Sequence, residues 1–272
     1  MISLSELKAF FFDLDGSIYR GAEPFQGVIP LLNQLRKYHK TIGFITNNST
    51  HTAREIKEKL NKMNIIAFEE EIISATDYMG IYLADNFGSL TLKVFGTKAL
   101  QDSIESKGHT VLPVLSKQNP DMIVIARDTT FNYDSLKYIV NAIKSGVKVI
   151  STNVDTHHPG TKGEIIPETG SITAAIEYIF GMEIQHIAKP RPFIFNYAMK
   201  KFSSNAEQSI MIGDNYNTDI TGGYFAGMKT AWINVSGIPR GPKSSVAFNV
   251  KPTIIINEIR EFIEIYHSSK LL

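Results

Sequence analysis

The amino-acid sequence predicts an α/β protein in which a parallel sheet is wrapped by helices and a second, smaller α/β domain is inserted into the chain. Three observations carry this reading. Short β-branched and aromatic runs alternate with longer amphipathic segments, the strand, helix, strand rhythm of a parallel sheet. Polar and acidic residues follow directly on three of the runs. The rhythm also breaks in the middle: 143 positions separate Thr46 from Lys189, where one strand-helix-strand unit takes about 30 residues.

In chain order, residues 8–12 form the first strand and 41–45 the second. Residues 52–63 read as a helix, with Thr52 and Glu55 in capping-box spacing and Ile56 and Leu60 on one face. Residues 72–74 give a third strand. The inserted part then alternates through strands 91–95, 122–126 and 148–152, a helix near 98–107, a helix at 133–144, and a further segment at 171–180. Strands 209–212, 230–235 and 253–256 complete the first domain. The division expected is a core of 1–82 and 182–272 and an inserted domain of 83–181, with two crossings and hence a hinge.

Composition bounds the function. The 272 residues are 43% hydrophobic and 20% charged, enough for a buried core and unlike disordered or low-complexity chains. Cysteine is absent, which removes disulfides, thiolate metal sites and cysteine nucleophiles and fits a cytoplasmic protein. Lys plus Arg (28) balance Asp plus Glu (27) with no basic block, so no nucleic-acid polymer or anionic membrane surface is indicated. The longest stretch free of Asp, Glu, Lys and Arg, residues 41–53, is polar and short of the roughly 20 apolar residues of a membrane span. Glu6, Lys8 and Asp13 around the first apolar run argue against a signal peptide.

In a parallel sheet, ligands bind beyond the carboxyl ends of the strands. There the sequence places Asp13-Leu14-Asp15-Gly16-Ser17, Thr46-Asn47-Asn48, and Gly213-Asp214-Asn215 with Asp219 five positions after Asp214. Side chains at i and i+2 of a strand share a face, so extended geometry would bring Asp13 and Asp15 together. Paired carboxylates repel and call for a cation or a shared proton. Asp214 adds a third acid, and oxygen donors with few imidazoles suit a hard cation such as Mg²⁺. Thr46 offers a hydroxyl, Asn47 a backbone N–H and Lys189 a fixed positive charge, all fitted to a phosphoryl oxygen.

At these residues the chain resembles the haloacid dehalogenase superfamily of phosphatases. The superfamily's four motifs stand in order as Phe12-Asp13-Leu14-Asp15-Gly16-Ser17, Phe44-Ile45-Thr46-Asn47-Asn48-Ser49, Lys189-Pro190, and Met211-Ile212-Gly213-Asp214-Asn215 with Thr218-Asp219. The inserted segment resembles the α/β cap of the NagD-like, p-nitrophenyl phosphatase subfamily. That likeness is carried by Thr152-Asn153-Val154-Asp155, by Gly170-Ser171-Ile172 with Ala174-Ala175-Ile176, and by Gly222 with Ala226-Gly227-Met228. The resemblance implies a Rossmann-like core with a cap. It implies that Asp13 attacks phosphorus to form an aspartyl-phosphate and that Asp15 serves as general acid, then base. Mg²⁺ would sit on the Asp13 carboxylate, the Asp15 carbonyl and the Asp214 carboxylate. Thr46, Asn47 and Asn48 would surround the phosphate, Lys189 would neutralise charge, and Asp219 would orient Lys189 or a metal-bound water. Ser17 stands where threonine is usual and keeps the hydroxyl. Glu168-Thr169 stands where smaller residues are usual. The resemblance also implies a homodimer through the cap, which light scattering showing only monomer would refute.

Other residues have plainer readings. His157 and His158 are adjacent and face opposite ways on an extended segment, which disfavours a second metal. The loop 152–159 is expected to face the active site, with Asn153 or Asp155 contacting substrate or closing the domain. Arg127 and Asp128 divide evenly between a surface ion pair and leaving-group recognition. Gly222 and Gly227 suit close helix packing or a helix end, and no Walker-type loop is present. The substrate expected is a small phosphorylated metabolite. A metal-free dehalogenase does not need Asp15 and Asp214. A phosphomutase of this superfamily carries its cap between the first two motifs, where only 33 positions separate Asp13 from Thr46. A phosphate-sensing regulatory module is the non-enzyme alternative, and the large inserted domain favours an enzyme that excludes water over its substrate.

Overall fold

The computed structural model describes residues 4–160, 163–234 and 250–268. The chain divides into two compact units, one of 1–46, 56–73 and 189–272 and the other of 47–55 and 74–188. The expected inserted domain, 83–181, lies within the second unit, which also takes in 74–82, 182–188 and 47–55.

In chain order the chain forms β1 (Ala9–Phe12), the short pair β2 (Tyr19–Arg20) and β3 (Glu23–Pro24), α1 (Val28–Lys37), β4 (Thr41–Thr46), α2 (Ala53–Lys62) and β5 (Ile72–Ser74). The middle of the chain gives α3 (Ala75–Phe87), β6 (Thr91–Phe95), α4 (Lys98–Glu105), β7 (Thr110–Leu112), β8 (Met122–Ile125), α5 (Tyr133–Lys144) and β9 (Lys148–Ser151). A hairpin of β10 (His157–Pro159) and β11 (Ile165–Pro167) leads into α6 (Thr169–Phe180). The last part holds α7 (Pro192–Lys201), β12 (Ser209–Gly213), a π-helical turn at Tyr216–Ile220, α8 (Thr221–Phe225), β13 (Lys229–Ile233), β14 (Ile254–Ile256) and α9 (Ile259–Ser268).

The first unit is built on a six-stranded sheet ordered β14-β13-β12-β1-β4-β5. β1 pairs in parallel with both β12 and β4, at the centre. Burial on both faces explains its unbroken aromatic run. Phe10 packs edge-on against Phe262 and Tyr266 of α9 and Phe11 edge-on against Phe202, while Phe12 lies tilted against Phe44. Gly43 makes room for this, since a Cβ there would lie 2.6 Å from the Phe11 ring. Gly222 lets α8 close on α7, because its Cβ would meet the Phe195 ring, and Gly227 ends that stretch at φ +78°. Val235, the last residue of one expected strand, lies outside the described residues.

The second unit holds a parallel sheet ordered β7-β6-β8-β9. Phe95, Ile123, Ile125, Ile139, Ile176 and Ile184 fill the space between it and α5 and α6. Residues 74–82 belong here because α3 packs on α4. Asp77 reinforces that packing, accepting hydrogen bonds from Ser74, Ser103 and the Ala53 N–H. The Thr52 and Glu55 side chains make the reciprocal capping bonds that start α2. Gly170 sits against Val154, whose carbonyl oxygen would lie 2.3 Å from a Cβ. No helix among the described residues is long and apolar enough to cross a membrane.

Candidate active site

The carboxyl ends of β1, β4 and β12 in the first unit bring the motif residues together. The Asp13 N–H continues the β1 ladder by donating to the Ile212 carbonyl at 2.9 Å. Its Oδ1 accepts from Lys189 Nζ at 2.6 Å, and its Oδ2 lies 3.3 Å from the Ser17 hydroxyl. Lys189 is 2% exposed and is joined to Pro190 by a cis peptide bond. Its three protons have three acceptors: Asp13, Asp219 Oδ1 at 2.7 Å and the Ile45 carbonyl at 2.9 Å. Thr46, buried at the end of β4, is the next residue after that carbonyl.

Asp214 enters from the end of β12. Ser17 accepts its N–H at 3.0 Å and stands 3.1 Å from its Oδ1, so the serine hydroxyl knits the first and fourth motifs together. The Trp232 indole N–H donates to the Asp214 carbonyl. Two glycines permit this crowding. Gly16, at φ +99°, would place a Cβ 2.5 Å from an Asp214 oxygen, and a Cβ on Gly213 would lie 2.2 Å from Asp219 Oδ2. Asp219 is fully buried, with Oδ1 on Lys189 and Oδ2 accepting the Asn215 N–H at 3.1 Å.

Asp13, Asp214 and Asp219 present carboxylate oxygens within 4.8 Å of one another, against the single ammonium of Lys189. The electrostatics register the imbalance. Burial pushes the Asp219 carboxyl above its ordinary value, and Asp13 and Asp214 add to the rise against the opposing pull of Lys189. Burial alone would lower the Lys189 ammonium, but the charges of Asp13 and Asp219 outweigh it and hold it above the usual lysine value. An oxygen-only donor set in negative excess fits a hard divalent cation.

Asp15 is not part of this cluster. β1 ends at Phe12, and the Leu14 carbonyl accepts the N–H groups of Ser17, Ile18 and Tyr19 as the chain turns. Extended i, i+2 geometry does not continue, and the two carboxylates take different partners. The Asp15 side chain is 60% exposed, with Oδ1 3.7 Å from Lys59 Nζ and Oδ2 accepting from the Tyr19 hydroxyl at 2.9 Å. Burial, with the Asp15 charge beside it, raises the Tyr19 phenol far above its ordinary value and keeps it a donor. Tyr19 and Lys59 went unread in the sequence because a turn and a helix from another part of the chain supply them, and neither leaves a spacing signal.

Asn47, Asn48, Asn153 and Asp155 fall in the second unit. Asn153 is 1% exposed; its amide donates to the Asn47 carbonyl at 2.8 Å and its oxygen accepts the Asp155 N–H. The Asn48 side chain accepts N–H groups of Thr50 and His51, forming a turn. These amides serve the unit's own backbone. In the same unit Glu168 Oε1 lies 2.7 Å from His158 Nδ1 and 3.5 Å from Arg127, so Arg127 and His158 share one acid. Thr169, beside Glu168, is buried with its hydroxyl 3.4 Å from those of Ser49 and Thr152. Among the described residues, Asp13, Asp214 and Asp219 are the only group of three or more acids and histidines placed to share an ion.

A haloacid dehalogenase-like hydrolase model matches residues 10–110 and a second HAD-hydrolase-like model matches 186–262. The chain is 29% identical over 256 residues to 5'-nucleotidase YutF of Bacillus subtilis, covering 94% of this chain and 97% of that protein. It is 30% identical over 230 residues to an acid sugar phosphatase of Staphylococcus haemolyticus, covering 85% of this chain and 86% of that one. Among solved structures, a 4-nitrophenylphosphatase of Thermotoga maritima superposes with TM-score 0.85 at 26% identity, covering 97% of this chain and 99% of its own. A thermostable NPPase of Geobacillus stearothermophilus superposes with TM-score 0.82 at 28% identity, covering 94% and 98%. By its ordered motifs and by this similarity over nearly its whole length, the chain belongs to the haloacid dehalogenase-like hydrolases, with phosphatases among its relatives.

Proposed function

We propose that the chain is a Mg²⁺-dependent phosphomonoesterase that hydrolyses a small phosphorylated metabolite through a phosphorylated Asp13. The observation that carries this is the grip of the buried Lys189 on Asp13 inside a cluster of three carboxylates. It fixes one oxygen of the nucleophile and places positive charge where a phosphoryl group would arrive.

In the first half-reaction an Asp13 oxygen forms a bond to phosphorus as the ester P–O bond breaks, and Asp15 gives its proton to the leaving oxygen. In the second, water attacks the same phosphorus, Asp15 takes the water's proton, and the bond to Asp13 breaks to release phosphate. Lys189 offsets the negative charge in both steps, and the Thr46 hydroxyl would donate to a phosphoryl oxygen. Asp13 and Asp214, with the Asp15 carbonyl, would hold Mg²⁺, which when bound supplies the positive charge that the carboxylates and a phosphate dianion together demand.

Hydrolysis of p-nitrophenyl phosphate tests the proposal. Activity is expected with Mg²⁺, lost on chelation and restored by readdition. Turnover unchanged by a chelator would contradict it. A panel of sugar phosphates, nucleoside monophosphates and other metabolite esters then identifies the substrate.

A further inference from the structure

We propose that Tyr19 and Lys59 are positioning residues that hold the Asp15 carboxylate in the orientation needed for proton transfer to the leaving group. The inference rests on the reading of Asp15 as general acid and base. Asp15 differs from the other acids of the site in lying outside the buried cluster, with a side chain 60% exposed. An exposed carboxylate samples several rotamers, and a proton donor that is not aimed forfeits much of its effect.

The turn after β1 supplies the aim. Leu14 accepts the Ile18 N–H at 2.8 Å and the Gly16 N–H donates to the Tyr19 carbonyl at 2.9 Å, which folds Tyr19 back beside Asp15. Tyr19 is itself 2% exposed, so its ring is fixed by packing, and its hydroxyl reaches Asp15 Oδ2 at 2.9 Å. Lys59 comes from α2. Its ammonium stands 4.0 Å from the centre of the Tyr19 ring and 3.7 Å from Asp15 Oδ1, so the tyrosine face seats the lysine as well. The two carboxylate oxygens are thereby made different. The phenol takes Oδ2, and Oδ1 faces the ammonium, so both oxygens are held in place. As the ester P–O electron pair moves onto the leaving oxygen, the Asp15 carboxyl O–H bond breaks and an O–H bond forms on the departing alcohol. The carboxylate that remains is met by the Tyr19 hydroxyl and the Lys59 charge.

The test compares kcat/KM for phenyl phosphate and p-nitrophenyl phosphate, which differ little in shape but differ in how much their leaving oxygen needs a proton. The ratio of the two does not depend on the fraction of folded enzyme, so a merely structural lesion leaves it unmoved. Tyr19→Phe is expected to lower the phenyl phosphate value relative to p-nitrophenyl phosphate roughly fivefold, and the surface variant Lys59→Met about twofold to threefold, both in the direction of a larger effect in Asp15→Asn. An unchanged ratio in both variants, whether activity falls on both esters or on neither, overturns the positioning role. An unchanged ratio in Asp15→Asn instead removes the assignment of Asp15, and the positioning role with it.

Discussion

Asp13→Asn is expected to abolish hydrolysis of p-nitrophenyl phosphate, by about 10⁴-fold or more, because an amide cannot form the acyl phosphate through which the proposed reaction runs. The substitution is close to isosteric, so the loss is expected without unfolding. Lys189 would still have Asp219 and the Ile45 carbonyl, and one of three mutually repelling carboxylates would be gone. The variant's melting temperature is therefore expected at or above that of the parent, the pattern of a site whose charge arrangement costs stability for activity. Steady-state kinetics and a thermal melt on the same preparation check both parts. Retained turnover contradicts the nucleophile, and a collapsed melt contradicts the electrostatic account.

Lys189→Met is expected to damage both fold and chemistry. Removing the ammonium leaves Asp13 and Asp219 facing each other in the interior with no counter-charge, and breaking a buried pair in this way costs about 3–5 kcal/mol. The Asp219 carboxyl responds by holding its proton. The Asp219 carboxyl is already raised by burial, and loss of Lys189 takes away its main opposing influence. A group whose folded pKa lies above its unfolded value binds more protons when folded, so stability is lost as pH rises through that window. The penalty relative to the parent is therefore expected to be smaller at pH 5 than at pH 8, as read by urea denaturation. Turnover is expected to fall about 10³-fold at any pH where the variant folds. Equal stability of the two proteins at both pH values would contradict the role given to Lys189.

The strands and amphipathic helices that face one core were legible in the sequence because their periodicity survives folding. β6 and α5 fall on residues 91–95 and 133–144 as read, and Thr52 with Glu55 marks the start of α2. α3 was not legible. Ala75, Thr76, Tyr78, Met79, Tyr82 and Leu83 are all buried, so apolar residues surround the helix and leave no stripe, and Gly80 reads as a breaker although it admits the close approach of α4. α1 begins after Gly27 with no side-chain cap, so it carries no start signal. In the site, the residues at strand ends were legible because a parallel sheet delivers them to one edge. The partnership of Asp15 with Tyr19 and Lys59 was not, since it depends on a turn that departs from strand geometry and on a lysine 44 positions further on. Glu168 escaped for a related reason: its partners His158 and Arg127 lie ten and 41 positions away on other elements.

A phosphate that passes through Asp13 leaves an acyl phosphate there, and that intermediate can be trapped. The enzyme would be mixed with p-nitrophenyl phosphate and Mg²⁺, quenched in acid within the first turnovers, treated with borohydride and digested for mass spectrometry. Borohydride reduces an acyl phosphate to an alcohol with loss of phosphate, so homoserine is expected at position 13, dependent on substrate. Turnover with no reducible intermediate at that position, or with homoserine at Asp15 or Asp214 instead, would contradict the account.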